Sequence, residues 1–201
     1  MSDSPFDLDG RVAVVTGGYG VLGGSMADGL AAAGARVAIL GRRRDPAMDK
    51  VQQLRDRGCD AVALVADAMD EGALQRARAV LLETWGRVDI LVNAAGGNVQ
   101  RARTDTQSVF EMPFDAFDEV VRLNLHGSVY PTLAFGAAMA EQRRGAIVNI
   151  SSMASYQALS GVMGYSAAKA AIDNFTRWMA VEMARKYGDR VRVNAIAPGF
   201  F

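Results

Sequence analysis

A chain of 201 residues, half of them hydrophobic, 22% charged and 21 glycine, is large enough to bury a sizeable core and falls in the usual one-domain range. Its composition excludes collagen-like, mucin-like and wholly disordered classes. Lys+Arg and Asp+Glu are balanced at 22 each, so there is no net field to gather nucleic acid or an anionic membrane, and neither is expected as a partner. The first ten residues carry neither a basic leader nor an apolar stretch, and no uncharged apolar run reaches 18 residues, which points to a soluble cytoplasmic protein. The single cysteine, Cys59, cannot form an intrachain disulfide and reads as an inert packing residue in a reducing compartment.

Along the chain, Val- and Ile-rich runs alternate with longer stretches of helical period, the pattern of successive βα units on a parallel sheet. Strands are predicted at residues 11–16, 36–40, 61–66, 88–93, 146–151 and 191–197, each nearly continuous in apolar residues, as a sheet covered on both faces requires. Helices are predicted at residues 21–33, 46–57, 71–85, 114–140 and 164–187. The first three end before Gly34, Gly58 and Gly86, placed as C-terminal stops. Residues 100–113 are polar, lack periodic apolar positions and read as a surface loop. With no linker or low-complexity segment, the fold class is α/β: one doubly wound, Rossmann-type domain spanning residues 1–201. The apolar ending Ala195-Ile-Ala-Pro-Gly-Phe-Phe201 is a poor solvated terminus, so the chain is expected to continue past its sixth strand.

The first predicted strand runs into Thr16-Gly-Gly-Tyr-Gly-Val-Leu-Gly23 and then a helix. Glycine permits a tight turn and close approach to a pyrophosphate, and a helix N-terminus offers free N–H groups. Gly18-x-Gly20-x-x-Gly23 matches the dinucleotide fingerprint in that context. After the second strand, where an NAD-binding chain would place an acid, the sequence reads Leu40-Gly41-Arg42-Arg43. No carboxylate there can bond a ribose 2′-hydroxyl, whereas Arg42 can grip a 2′-phosphate, so NADP is preferred and NAD is the alternative. A solvated basic turn would look the same.

Tyr165-Ser-Ala-Ala-Lys169 puts a tyrosine and a lysine on one helix face, where the ammonium favours phenolate over phenol. Ser152, 13 residues earlier, follows a strand at the edge where open α/β sheets bind ligands, and Ser151 offers the same hydroxyl beside it. Together these motifs resemble the short-chain dehydrogenase/reductase family along essentially the whole chain. The family's glycine pattern falls on Thr16, Gly17, Val21 and Gly23, with Val21 in place of its middle glycine. Asp67 matches its adenine-contacting acid, and Asn93-Ala-Ala-Gly96 matches its Asn-Asn-Ala-Gly signature with Ala94 in place of the second asparagine. Asn124 matches its helix asparagine, and Pro198-Gly199 the turn after the sixth strand.

The resemblance implies reversible hydride transfer between nicotinamide and a carbonyl carbon. Ser152 would bond the substrate oxygen, Tyr165 would act as acid or base, Lys169 would hold the nicotinamide ribose, and Asn124 would support a proton path to Lys169. It implies a cofactor lining of Gly17, Gly18, Tyr19, Gly20, Val21, Leu22, Gly23, Arg42, Asp67, Ala68, Asn93, Ala94, Ala95, Gly96, Tyr165, Lys169, Pro198 and Gly199. It also implies a homo-oligomer, a tetramer by preference, built on the long helices. The helix carrying Lys169 is apolar around much of its circumference, consistent with burial or pairing.

Within the family, Gly20-Val-Leu-Gly23, Leu40-Gly-Arg42, Asn93-Ala-Ala-Gly-Gly-Asn98 and Ala197-Pro-Gly-Phe-Phe201 resemble the short-chain oxidoreductases of D-mannonate, or fructuronate reductases. Asn98, Gln100, Ser152 and Tyr156 are then candidates to meet a hydroxylated small-molecule substrate. A 3-oxoacyl-thioester reductase or another polyol or sugar dehydrogenase would share the same scaffold. A catalytically silent NADP-binding regulator is the alternative of another class. His126, the sole histidine, cannot join a multi-histidine zinc site or a histidine triad and reads as structural, with no metal expected.

Overall fold

In the computed structural model, which describes residues 6–105 and 107–199, six parallel strands form one sheet. They are β1 (Val12–Thr16), β2 (Arg36–Gly41), β3 (Ala61–Val65), β4 (Ile90–Asn93), β5 (Gly145–Ile150) and β6 (Val191–Ile196). Their order is β3-β2-β1-β4-β5-β6. The strand order therefore reverses direction between β1 and β4, whose register runs from Ala13 opposite Ile90 to Thr16 opposite Asn93. That reversal leaves a crevice beyond the carboxyl ends of the two strands.

The alternation of the strands divides the core in two. Val12, Val14, Leu40 and Leu91 face α3 (Glu71–Trp85), α5 (Gly127–Glu141) and α6 (Met163–Tyr187), packing with Leu74, Phe135, Met139 and Met179. Ala13, Val15, Val37 and Ile39 face α1 (Val21–Ala32) and α2 (Arg44–Asp56), packing with Ala27, Val51 and Leu54. The β1 side chains are wholly enclosed because both faces are covered. In β6, Val191 and Val193 are buried under α6 while Arg192 and Asn194 are exposed, so this edge strand alternates, unlike the continuous apolar run the sequence suggests.

All five predicted helical segments form, and Gly34, Gly58 and Gly86 follow the first three with positive φ. The predicted helix at residues 114–140 is interrupted. Short α4 (Phe114–Val121) passes into a single π-helical segment, Arg122–His126, before α5 begins. The predicted loop at residues 100–113 carries two 3₁₀ turns, Gln100–Ala102 and Val109–Glu111. Cys59 donates weakly to the Ala35 carbonyl at 3.3 Å, and burial pushes its thiol up, consistent with an inert packing role. His126 stacks on Tyr130 with centroids 5.0 Å apart. Phe200 and Phe201 lie outside the described residues, as do residues 1–5. Among the described residues no helix is long and apolar enough to cross a membrane.

Candidate active site

Thr16 ends β1 with its side chain enclosed, and its Oγ1 accepts from the N–H groups of Ala94 and Ala95 at 3.1 and 3.0 Å. One hydroxyl thus fixes the start of the glycine loop against the segment leaving β4. Gly17 follows at φ +63°, a conformation a side chain resists, and its N–H donates to the Leu40 carbonyl at 2.8 Å. At Gly23 a Cβ would lie 2.4 Å from the Gly17 carbonyl oxygen. The first turn of α1 can therefore fold back on the loop only without a side chain there. No side chain caps α1 at Gly20, so the first-turn N–H groups are left for a ligand.

Above this loop lies a cleft of about 730 Å³, within the ~300–1,000 Å³ of typical small-molecule sites. Gly17, Tyr19, Gly20, Val21, Leu22 and Gly23 form its floor; Arg42, Asp67 and Ala68 stand at the β2 and β3 side, and Ala94, Ala95 and Gly96 at the β4 side. The remaining predicted cofactor residues fall elsewhere. Gly18 packs its backbone against Ile39. Asn93 is buried in a polar ladder, donating to Thr132 Oγ1 at 2.9 Å and to Asn149 Oδ1 at 2.8 Å. Pro198 accepts from the Met153 N–H at 3.0 Å, tying the turn after β6 to the segment after β5, and Gly199 also approaches Met153.

Several lining residues escaped the sequence reading: Gly41, Arg43, Met69, Leu123 and Gly127. Gly41 had a readable signal in its place at the end of β2. A Cβ there would strike the Tyr19 ring at 2.3 Å, so the ring lies across the strand end. Tyr19 Oη accepts from the Arg43 N–H at 3.3 Å, and the Arg43 guanidinium sits 5.2 Å from the ring centroid. Arg42 is largely exposed and lies 3.9 Å from Asp67, whose other oxygen accepts from the Met69 N–H at 2.9 Å. The size of the cleft, its glycine floor, the uncapped helix and this basic rim together fit a dinucleotide, phosphates toward α1 and adenosine toward β2 and β3.

Beside Gly96, outside the lining of the cleft itself, α6 carries Tyr165 and Lys169. Lys169 is only 4% exposed, donates to the Ile150 carbonyl at 2.7 Å and lies 5.4 Å from the Tyr165 ring centroid. Burial pulls its ammonium down to about 8, opposed by the charge of Asp173. A Cβ on Gly96 would lie 2.7 Å from Asn124 Oδ1 and 3.5 Å from Lys169 Nζ, so these two polar groups converge on the glycine that closes the cleft. Asn124 belongs to the π segment and is fully buried; its Nδ2 also donates to the Val120 carbonyl at 2.8 Å.

Alternation at the end of β5 separates the two serines. Ser151 is buried with its hydroxyl 3.5 Å from that of Ser155, whereas Ser152 is partly exposed and its Oγ accepts only a backbone N–H, from Ala154 at 3.1 Å. Ser152 is thus the serine with a hydroxyl proton left to give. Asn98, Gln100 and Tyr156 are exposed and make no contact that joins them to this group.

Fold and site together define an α/β protein with a dinucleotide-type crevice at the switch point of its sheet and a tyrosine–lysine pair next to Gly96 on its β4 side. Residues 11–201 match the short chain dehydrogenase family, and the protein belongs to that family of oxidoreductases. It is 42% identical over 204 residues to the uncharacterized oxidoreductase UxuB of Bacillus subtilis, covering 97% of this chain and 72% of that one. The solved structure of a proposed D-mannonate oxidoreductase from Haemophilus influenza, with bound NAD, superposes with a TM-score of 0.92 at 33% identity, over 97% of this chain and 72% of the other. A gluconate 5-dehydrogenase from Burkholderia cenocepacia, in complex with NADP and tartrate, superposes with a TM-score of 0.89 at 32% identity, over 98% and 73%.

Proposed function

We propose that this protein moves a hydride between a nicotinamide cofactor, NADP by preference, and the carbonyl or secondary alcohol of a sugar acid such as D-fructuronate or D-mannonate. The observation that carries the reading is the buried Lys169 ammonium beside Tyr165, next to Gly96 of the glycine-floored cleft. When bound, the nicotinamide ring supplies or accepts the hydride. The protein's own work is to bind, orient and move a proton. Ser152 donates to the substrate oxygen. Tyr165 gives that oxygen its proton in reduction and takes it back in oxidation. Lys169 stabilises the negative charge left on the phenol oxygen and would hold the nicotinamide ribose; Asn124 holds the segment next to it.

Support for NADP comes from Arg42 and Arg43 at the end of β2, where Gly41 takes the place of a carboxylate. Support for a sugar acid comes from the two solved relatives, which are described as acting on hydroxylated acids. The same reading includes self-association, with a tetramer preferred. The outer face of α6 leaves Trp178 and Val181 each 59% exposed, an apolar surface suited to a second copy of the protein.

The test is a purified-protein assay of NADPH and NADH oxidation with fructuronate, 5-ketogluconate, acetoacetyl thioester and simple ketones, run in parallel with Tyr165→Phe. Turnover of the sugar acids, lost in Tyr165→Phe, is expected. Turnover of thioesters alone would move the assignment to the acyl-thioester reductases. NADPH binding with no turnover across the panel would favour a silent nucleotide-binding regulator. A monomeric mass by light scattering at micromolar concentration would contradict the oligomer.

A further inference from the structure

Three ionisable side chains are buried among the described residues: Asp89, Lys169 and Asp173. Asp89 lies at the amino ends of the strands, gripped by Arg87 through contacts of 2.6 and 2.7 Å and by Arg11 at 3.4 Å. The other two stand four residues apart on α6, so they share one face of the helix. Asp173 is 6% exposed. Its Oδ2 accepts from Ser155 Oγ at 2.6 Å, while its Oδ1 is buried without a hydrogen-bond partner. A carboxylate kept in such a place with half its acceptors idle is costly unless a nearby positive charge offsets the loss of water.

Lys169 is that charge. The groups facing it are the Ile150 carbonyl from β5, the Tyr165 ring from the preceding turn of α6, and neutral Asn124 from the π segment across Gly96. The only charge acting on it from any of these elements is Asp173, which works against the desolvation of the ammonium. Asp173 also reaches in the opposite direction. Ser155 closes the 3₁₀ turn Met153–Ser155 that follows Ser152, and its hydroxyl lies 2.7 Å from the Ser152 carbonyl oxygen. One carboxylate therefore contacts the turn carrying Ser152 and faces, along its own helix, the lysine paired with Tyr165.

We propose that Asp173 is a positioning residue: the buried counter-charge of Lys169 and, through Ser155, the tie that sets Ser152 against the helix bearing Tyr165. Its consequence for turnover rests on the hydride-transfer reading above; its pairing with Lys169 does not.

The protein has three lysines, Lys50, Lys169 and Lys186, so ¹³Cε-lysine labelling gives three resolvable NMR titrations, with the Lys169 signal assigned by its loss in Lys169→Met. In Asp173→Asn, which keeps an oxygen for Ser155 but removes the charge, the Lys169 midpoint should fall by about one pH unit or more. Lys50 and Lys186 should stay in place, and Asp173→Glu should return the midpoint toward wild type. Ser155→Ala should leave the Lys169 midpoint unchanged while lowering kcat, with the pH profile in place.

An unchanged Lys169 midpoint in Asp173→Asn overturns the counter-charge. If Asp173→Asn fails to fold, the double variant with Lys169→Met should fold, because no unpaired ammonium remains to be buried; failure of that double variant also overturns it. If no substrate is turned over, the hydride-transfer reading fails and the titration still decides the pairing. If Tyr165→Phe abolishes turnover while Ser155→Ala and Asp173→Asn retain wild-type rates and pH profiles, the positioning role fails and the hydride-transfer reading stands.

Discussion

Asn124 clasps Gly97 in both directions: its Nδ2 donates to the Gly97 carbonyl at 2.7 Å and its Oδ1 accepts from the Gly97 N–H at 3.1 Å. The residue after the cleft-closing glycine is thereby held by a side chain from a helix 27 positions away. Asn124→Ala would strand both partly buried Gly97 groups and one buried Val120 acceptor. Unpaired buried groups cost ~1–3 kcal/mol each, with partial relief by water. Denaturant unfolding should show a loss of about 2 kcal/mol at unchanged m-value, together with weaker nucleotide binding as residues 96–97 loosen.

The glycine loop makes a sharper comparison, because two adjacent glycines predict opposite outcomes. A methyl at Gly23 meets the Gly17 carbonyl oxygen at 2.4 Å, whereas at Gly24 the nearest atom is 3.7 Å away. Gly24→Ala should fold normally and gain up to ~1 kcal/mol from helix propensity. Gly23→Ala must displace the loop backbone, and NADPH affinity measured by fluorescence titration should fall at least about tenfold, roughly 1.4 kcal/mol. Equal affinities in the two variants would remove Gly23 from the binding floor.

Much of this arrangement is written in local sequence. The strand runs, the glycine-stopped helices and the loop between β1 and α1 all announce themselves through periodicity and punctuation, and the tyrosine and lysine through their spacing on one helix. What escapes is set by contacts between residues far apart in sequence. Residues 114–140 keep a helical apolar pattern throughout, and the π segment arises where Asn124 reaches Gly97. Pro131, inside α5 and without an N–H to give, is the one local sign that this helix is irregular. Likewise the choice between Ser151 and Ser152 depends on which way β5 points its last side chains, a one-residue register that spacing alone does not fix. Arg192 and Asn194 in β6 carried a readable warning: their polarity marks a face left open by the described helices.

At the β2 end of the cleft, Arg42 is free to turn from its long 3.9 Å contact with Asp67 toward a phosphate. An exposed pair at that distance contributes little, whereas a guanidinium–phosphate contact is charge-assisted and can be bidentate. Arg42→Ser should therefore leave stability nearly unchanged, reduce kcat/KM with NADPH by about tenfold, and alter that with NADH by no more than about twofold. Equal losses with the two cofactors would show that Arg42 serves the adenosine in general and not a 2′-phosphate.

Lys169 should also leave a mark on stability. Its ammonium is pulled from the ordinary 10.5 to about 8 in the folded protein, so between those values the unfolded state holds the additional proton. Stability must then rise with pH across that window, while below about 8 the whole cost of burying the charge is present. A difference of that size corresponds to ~3 kcal/mol as an upper figure. The double variant Lys169→Met/Asp173→Asn removes the ammonium together with its buried counter-charge, and should raise the unfolding free energy at pH 7 by about 1–3 kcal/mol and flatten the rise toward pH 10. The measurement is urea unfolding of both proteins at intervals from pH 6 to 10. A wild-type curve that falls over pH 8–10, with the variant parallel to it, would mean that the lysine is not held in a desolvated, destabilising state.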